Sequence, residues 1–96
     1  GNLNSLVGSV KQAGIRLNAI APGYTQTPMT AAAEADPELG DAVRRFLAAT
    51  PVGRAGQPED QAEAALFLLG PASSFICGAL LYVDGGFDAM SRPDAI

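Results

Sequence analysis

The chain has 96 residues, of which 48% are hydrophobic and only 17% are charged. Its 6 basic and 10 acidic residues give a net charge of −4 and no basic cluster, which argues against a nucleic-acid partner. No apolar run approaches the length of a membrane span, which is about 18 residues. The single cysteine argues against an intrachain disulfide, and the lack of histidine beside it argues against a transition-metal site.

The first predicted element is a helix over residues 2–12. Gly14 follows it at the position of a left-handed cap. No helix start signal precedes the segment, so we expect the helix, and the domain, to begin upstream of Gly1. The apolar residues recur at helical spacing and form one stripe: Leu3, Leu6, Val7 and Val10.

A mostly apolar run from Ile15 to Ala21 predicts a strand that is covered on both faces, as in a parallel sheet. Pro22-Gly23 ends it and delivers the next residues to the carboxyl edge of the sheet. Open α/β sheets bind their ligands at that edge. The segment after Gly23 is therefore the first place to look for a site.

Residues 24–35 lack a clean period and predict a loop with a short helix. Asp36-Pro37 is a strong helix start, because a capping carboxylate precedes a proline at the first helical position. Asp41 and Arg45 are spaced for an ion pair on this second helix. Residues 50–57, rich in Gly and Pro, predict a connector. The apolar stripe of the helix is Leu39, Ala42, Val43, Phe46 and Leu47.

Pro58 begins the clearest predicted helix, and Gly70-Pro71 ends it. Residues 79–83 predict a second strand, and Asp84-Gly85-Gly86 predicts a tight turn that needs positive φ. Residues 87–96 read as an exposed tail. The predicted buried stripe of the helix is Ala62, Ala65, Leu66 and Leu69, widened by Phe67 and Leu68.

Strand, helix and strand with long connections predict parallel neighbours. Two parallel strands cannot stand alone in water, because both of their faces need helices. The apolar excess in so short a chain predicts surface that other polypeptide covers, and hence self-association of the isolated chain.

Three segments together resemble the second half of short-chain dehydrogenase/reductases. The first is Arg16-Leu17-Asn18-Ala19-Ile20-Ala21-Pro22-Gly23 with Thr27-Pro28-Met29; the second is Pro51-Val52-Gly53-Arg54-Ala55-Gly56-Gln57-Pro58-Glu59-Asp60; the third is Gly78 and Tyr82-Val83-Asp84-Gly85-Gly86. The chain also looks like the bacterial 3α-hydroxysteroid dehydrogenase/carbonyl reductase subgroup. That likeness includes Ala35-Asp36-Pro37, Arg44-Arg45-Phe46, Phe67-Leu68-Leu69-Gly70-Pro71, Ser74-Phe75-Ile76 and Phe87-Asp88-Ala89.

The resemblance implies an α/β fold, with residues 1–96 as the C-terminal portion of one Rossmann-like, doubly wound parallel sheet with two strands and about three to four helices. It implies NAD or NADP as the cofactor and hydride transfer between an alcohol and a carbonyl. The family's Tyr-x-x-x-Lys pair and glycine-rich motif are absent: the only lysine is Lys11, and Val7 stands four residues before it. No catalytic residue is therefore assigned, and the isolated chain is expected to be inactive.

By this resemblance, the Thr27 hydroxyl lies near the nicotinamide carboxamide and the adjoining phosphate; the alternative is a threonine that caps the next turn. The backbone of Thr25 is expected to bond the carboxamide. Pro22 and Gly23 shape the bend, which is also what an ordinary strand-ending turn requires.

The segment of about 24–50 is the expected substrate loop. Tyr24 and Met29 are candidates for lining a cavity for an apolar substrate such as a steroid. Phe46 and Leu47 on the same segment, and Met29 itself, also fit plain packing roles.

Four further residues carry structural expectations. The buried amide of Asn18 is predicted to tie its strand to a neighbouring loop. Arg54 either pairs with an acidic residue or a neighbouring subunit, or is solvated. Asp84 is expected to accept backbone hydrogen bonds in its turn, and Cys77 to be a small buried hydrophobe rather than a nucleophile.

Together these observations favour part of a cytoplasmic NAD(P)-dependent oxidoreductase that acts on an apolar small molecule. Its partners would be the preceding N-terminal part of the same protein and identical subunits, as a dimer or tetramer. Two alternatives stay open: a non-enzymatic module that associates with itself, and a remnant without a function of its own.

Overall fold

The computed structural model describes residues 3–10 and 13–93 as an α/β chain with one two-stranded sheet. None of the described helices has the length and apolarity needed to cross a bilayer. In chain order the elements are α1 (Leu3–Val10), β1 (Ala19–Pro22), α2 (Pro28–Ala35), α3 (Pro37–Ala49), α4 (Pro58–Leu69), a 3₁₀ turn (Pro71–Ser73), β2 (Leu80–Val83) and α5 (Phe87–Ser91).

Strands β1 and β2 pair in parallel, as the sequence predicts, with Ala19 opposite Leu80 and Pro22 opposite Val83. The connection between them runs through α2, α3 and α4, and α4 packs against both strands. Both carboxyl ends therefore meet at one edge of the sheet, where the chain enters the segment after Gly23 and the turn after Val83.

Local signals fix the starts of the helices. The Asp36 carboxylate accepts hydrogen bonds from the backbone N–H groups of Glu38 and Leu39 at 2.9 and 3.0 Å, which confirms the predicted cap of α3. The Asp41–Arg45 ion pair is present at 3.2 Å. The end of α2 lies close to the first turn of α3. A Cβ on Gly40 would collide there with the carbonyl oxygen of Glu34.

Two predicted elements differ from the structure. The strand predicted over Ile15–Ala21 is shorter and shifted. Its residues are mostly half-buried rather than covered on both faces, and among the described elements β2 pairs with it and α4 packs against it. The predicted tail contains α5, whose Phe87 ring lies 5.1 Å from that of Phe46; residues 94–96 lie outside the described part. Together with α2, this brings the described helices to five.

The buried face of α4 was predicted wrongly. The face that meets the sheet carries Gln61, Ala65 and Leu68, whereas Leu66 and Leu69 are 64% and 79% exposed and Ala62 is exposed as well. Apolar side chains surround the C-terminal half of this helix, so periodicity could not select its packed face. Cys77, expected to be buried, is also exposed.

Little of the described chain is buried. The buried side chains are Ala55, Leu68, Thr50 and Ser73, while large apolar residues stand exposed on every helix. The radius of gyration is 16.5 Å, whereas a compact domain of this length would have about 12 Å. The apolar surface that the composition predicts is thus present and uncovered in the single chain.

Candidate functional site

The candidate site lies where the ends of β1 and β2 meet. The Gly23 N–H donates to the carbonyl oxygen of Val83 at 3.0 Å, which extends the parallel ladder by one bond. Beyond Val83 the chain turns through Gly85 and Gly86, whose φ angles of +67° and +96° confirm the predicted turn. The Asp84 carboxylate accepts the backbone N–H groups of Gly86 and Asp88, both at 2.9 Å, as expected.

The segment after Gly23 continues as extended chain beside Gly56. The Gly56 N–H donates to the Tyr24 carbonyl at 2.9 Å, and the Gln26 N–H donates to the Gly56 carbonyl at 2.8 Å. Thr25 lies between these two residues. In such a parallel bridge its own N–H and carbonyl point away from Gly56. Among the described residues the Thr25 N–H has no acceptor, and its carbonyl accepts the Thr30 hydroxyl at 3.0 Å.

Thr27 is the N-cap of α2. Its hydroxyl accepts the Thr30 N–H at 3.3 Å, and the Thr30 hydroxyl accepts the Thr27 N–H at 2.7 Å, which completes a capping box. The capping alternative foreseen for Thr27 is therefore real. A hydroxyl also has a proton to donate, so the cap leaves Thr27 able to donate to a further group.

A cavity of about 260 Å³ lies at this edge of the sheet, between α3, α4 and the turn after β2. Gly23 and Tyr24 line it, whereas Pro22, Thr25, Thr27 and Met29 do not. The apolar part of its wall comes from Tyr24, Phe46, Leu47, Val52, Val83 and Phe87, and the polar part from Thr50, Arg54, Asp60, Gln61 and Asp84.

Aromatic rings form one wall of this cavity. The Phe46 ring lies 6.4 Å from that of Tyr24 and 5.1 Å from that of Phe87, between centroids, and both pairs are tilted. Met29, by contrast, is 84% exposed on the first turn of α2. The structure thus brings one of the two predicted substrate residues, Tyr24, to the cavity and leaves Met29 exposed outside its lining.

Polar side chains join the segment after β1 to the start of α4. The Tyr24 hydroxyl donates to Glu34 at 3.3 Å, the Gln26 amide donates to Glu34 at 3.2 Å, and the Gln57 amide donates to Gln26 at 2.9 Å. Partial burial and the nearby Glu34 carboxylate raise the pKa of the Tyr24 phenol above its ordinary value. Tyr24 is therefore a protonated hydrogen-bond donor at neutral pH.

Arg54 pairs with Asp60 within the chain, with 3.0 Å between Nη1 and Oδ2, in line with the predicted pairing with an acidic residue. Asp60 also accepts the backbone N–H of Gln57 at 2.7 Å. The hydrogen bond from Arg54 is the largest cause that lowers the pKa of the Asp60 carboxyl, and the bond from the Gln57 N–H is the next. The bond between Arg54 and Asp60 also raises the pKa of Arg54. The carboxylate thus stays ionised at the start of α4.

The predicted role of Asn18 is confirmed. Its amide Nδ2 donates to the Ile76 carbonyl at 3.2 Å, and its Oδ1 accepts the Ala79 N–H at 2.9 Å, so it ties β1 to the loop before β2. A second cavity, of about 320 Å³, opens beside it between the start of β1 and the Leu68–Leu69 end of α4.

Sequence reasoning gave no role to two residues. Arg16 donates to four carbonyl oxygens, those of Ser73, Ile76, Leu68 and Gly70, at 2.9, 3.0, 3.1 and 3.3 Å. Gln61 reaches the end of β2 from the packed face of α4. Two signals in the sequence could have indicated these roles. Arg16 is a charged residue inside an apolar run, and Gln61 is an amide on the side of α4 that faces the sheet.

Comparison with known proteins identifies the family. A family model described as enoyl-(acyl carrier protein) reductase, of the short-chain type, matches residues 3–88. The chain belongs to the short-chain dehydrogenase/reductase family. The 3-alpha-hydroxysteroid dehydrogenase/carbonyl reductase of Comamonas testosteroni is 44% identical over 82 residues, which are 85% of this chain and 31% of that protein.

Two solved short-chain dehydrogenase/reductases share the fold. The 3-alpha-hydroxysteroid dehydrogenase of Pseudomonas sp. B-0831, complexed with NADH, superposes with a TM-score of 0.78 at 45% identity, covering 98% of this chain and 36% of that one. A protein assigned as a 2-deoxy-D-gluconate 3-dehydrogenase from Agrobacterium tumefaciens, with bound NADP, gives 0.77 at 42% identity, covering 91% and 34%. The predicted fold class is confirmed, and the chain spans about a third of the length of these relatives.

Proposed function

We propose that this chain forms the carboxyl-terminal third of an NAD(P)-dependent oxidoreductase that transfers hydride between the cofactor and an alcohol or carbonyl of an apolar small molecule. The observation that carries the proposal is the peptide of Thr25, whose N–H is without an acceptor among the described residues at the carboxyl edge of the sheet. Relatives of this chain have been solved with NADH and NADP bound.

The residues at this edge fit a nicotinamide carboxamide, which both donates and accepts hydrogen bonds. The Thr25 N–H would donate to the carboxamide oxygen, and the Thr25 carbonyl, which keeps a second lone pair beside the Thr30 hydroxyl, would accept the carboxamide NH₂. The Thr27 hydroxyl would donate its proton to the carboxamide or the adjoining phosphate. Pro22 and Gly23 hold this segment close to the end of β2.

The bound nicotinamide supplies the hydride chemistry, and the residues of this chain orient it. Two fixed backbone contacts at Thr25 would decide which face of the ring meets the substrate. NAD and NADP remain equal candidates, since residues outside this chain would contact the rest of the nucleotide.

The substrate would be bounded by the segment of about 24–50. Tyr24 and Phe46 give the cavity an aromatic wall, and the exposed thioether of Met29, five residues after Tyr24, would add apolar surface to the same segment. Such a wall suits a flat apolar molecule, with steroids as one candidate class in keeping with the named activity of two relatives.

The isolated chain would be inactive, because it lacks the Tyr-x-x-x-Lys pair and the glycine-rich phosphate turn. Its partners would be the N-terminal part of the same polypeptide and identical subunits, in a cytoplasmic dimer or tetramer. The exposed apolar face of α4 also favours a second candidate, a non-enzymatic module that associates with itself; a functionless remnant is the third.

The test begins with the complete reading frame that contains this chain and the mass of its product. We expect the full product to bind NADH or NADPH in a fluorescence titration and to oxidise it in the presence of an apolar ketone, while residues 1–96 alone bind neither. A product that begins at Gly1, or a full-length protein that binds neither nucleotide, would contradict the proposal.

A further inference from the structure

The half-buried Gln61 side chain has hydrogen-bond partners for its amide nitrogen but none for its buried amide oxygen. Its Nε2 donates to the Val83 carbonyl at 2.8 Å and lies 3.5 Å from the Thr25 hydroxyl. Its Oε1 is the one buried side-chain oxygen or nitrogen in the described part of the chain that has no partner. The reverse orientation of the amide would place its oxygen against the Val83 oxygen, so the hydrogen bonds fix the assignment.

This arrangement is costly for an ordinary packing position. A buried polar atom without a partner loses the hydrogen bond that water would give it in the unfolded chain. Methionine has about the same length and volume as glutamine and carries no such atom. Packing against the sheet alone would favour methionine here, and the amide therefore calls for an explanation through the hydrogen bonds that it does make.

Those bonds close a ring around the segment that carries Thr25. The Val83 carbonyl accepts both Gln61 Nε2 and the Gly23 N–H, and the Thr25 hydroxyl donates to the Gly23 carbonyl at 3.0 Å. Gln61 Nε2 then reaches back to the Thr25 hydroxyl. Two side chains and three backbone groups thus hold the segment from Gly23 to Thr25 in place.

We propose that Gln61 is a positioning residue for the nicotinamide cofactor: through Val83 and the Thr25 hydroxyl, it fixes the direction of the Thr25 peptide that binds the carboxamide. The proposal rests on the function proposed above and assigns Gln61 no contact with the cofactor. The positioning role thus belongs to a residue of α4, whereas the residues proposed to touch the cofactor lie in the segment after β1.

The experiment uses the full-length protein that contains this chain and compares wild type with Gln61→Met. We expect the thermal midpoint to stay the same or rise, because the orphan oxygen is removed. We expect the Kd for NADH or NADPH and the KM for the cofactor to rise about three- to tenfold, the size of one lost hydrogen bond. The KM for the carbonyl substrate, whose cavity Gln61 also lines, should change less than the KM for the cofactor. Glu63→Met, at an exposed position of the same helix, should change none of these quantities.

A double-mutant cycle tests the route through Thr25. Thr25→Val should weaken cofactor binding as well, and in that background Gln61→Met should have little further effect. If the two substitutions weaken cofactor binding in a fully additive way, Gln61 does not act through Thr25, and the proposed route is wrong. Should Gln61→Met fail to fold, Thr25→Val still breaks the same ring from its other side, and unchanged cofactor binding in that variant would overturn the role.

The outcomes separate this role from the proposed function. Wild-type protein that binds neither nucleotide overturns the proposed function and the positioning role with it. Wild-type protein that binds, beside a Gln61→Met variant that binds equally well, overturns the positioning role alone. A variant with a lowered thermal midpoint and unchanged cofactor affinity would show that Gln61 serves the packing of α4.

Discussion

The backbone of Asp84 occupies the space that a side chain on Gly23 would need. A Cβ built on Gly23 would lie 2.6 Å from the Cα and 2.6 Å from the Cβ of Asp84. Gly23 does not have a positive φ, so the demand for glycine is one of space rather than of backbone conformation. The two strand ends can meet at hydrogen-bond distance only because this position lacks a side chain.

Gly23→Ala should therefore force the ends of β1 and β2 apart. We expect the free energy of unfolding to fall by about 1–3 kcal/mol, the usual cost of overpacking, and cofactor affinity to fall with it. Chemical denaturation measures the first effect. Gly8→Ala in α1 is the matched control, since nothing lies within 4 Å of a Cβ at that position. Equal losses in both variants would contradict the steric explanation.

Substitutions at Thr27 should separate its cap from its proposed contact with the cofactor. Thr27→Asp keeps a good N-cap for α2, so stability should be preserved, but its carboxylate would repel the cofactor phosphate and weaken binding. Thr27→Ser should preserve both properties. Thr27→Ala should lose about 1 kcal/mol of stability together with affinity. If Thr27→Asp binds the cofactor as wild type does, Thr27 is a cap and nothing more.

The Asp60 carboxylate should make stability depend on pH in the acid range. Because its pKa in the folded chain lies below its unfolded value, its contribution is complete above the unfolded pKa and is lost as the pH falls through the folded one. Wild type and Asp60→Asn should thus differ most in thermal midpoint at neutral pH and converge in acid. Glu59→Gln, beside it, should show a smaller difference; a constant offset between wild type and Asp60→Asn at every pH would contradict the linkage.

Arg16 should be a major source of local stability. Its guanidinium binds carbonyl oxygens at the end of α4, those of Leu68 and Gly70, and carbonyl oxygens in the loop after it, those of Ser73 and Ile76. Arg16→Met should remove one charged hydrogen bond from each of these four carbonyls, which keep their other donors, and cost about 2–4 kcal/mol. Arg16→Lys should recover part of that loss, since an ammonium cannot match the planar fork. Hydrogen exchange of the amides in residues 70–78 would report the change, and unaltered exchange would refute it.

The exposed face of α4 should support association of the chain. Leu66 and Leu69 stand on one side of the helix with most of their surface open to solvent. Leu66→Lys combined with Leu69→Lys should lower the weight-average mass in sedimentation toward that of one chain. Glu63→Lys should leave it unchanged. Wild-type protein that sediments as a single chain at high concentration would contradict this prediction.

Local chemistry made several features predictable. The cap at Asp36, the bridge at Asn18 and the turn at Gly85-Gly86 each depend on residues within a few positions or on a single unsatisfied group, and each is confirmed. The parallel pairing of β1 with β2 followed from the length of their connection. The roles of Thr25 and Thr27 toward a cofactor stay predictions.

Features that depend on a distant partner were not predictable. Which face of α4 meets the sheet is decided by Leu68 against the strands, and apolar residues on both sides of the helix hide that choice. Cys77 is exposed on the loop before β2, which its small apolar side chain did not indicate. Arg16 stood out as a charge in an apolar run, but its acceptors are more than fifty positions away in the chain.

The acceptors of Arg16 have a consequence for how this region can change in evolution. A guanidinium that binds main-chain oxygens recognises the path of the polypeptide and is indifferent to the identity of the residues along it. The side chains at 72 and 76, which take no part in these bonds, are therefore free to drift among homologues so long as the route of the chain is kept. Because no acidic side chain takes part in these bonds, neither salt nor moderate acid should loosen this junction.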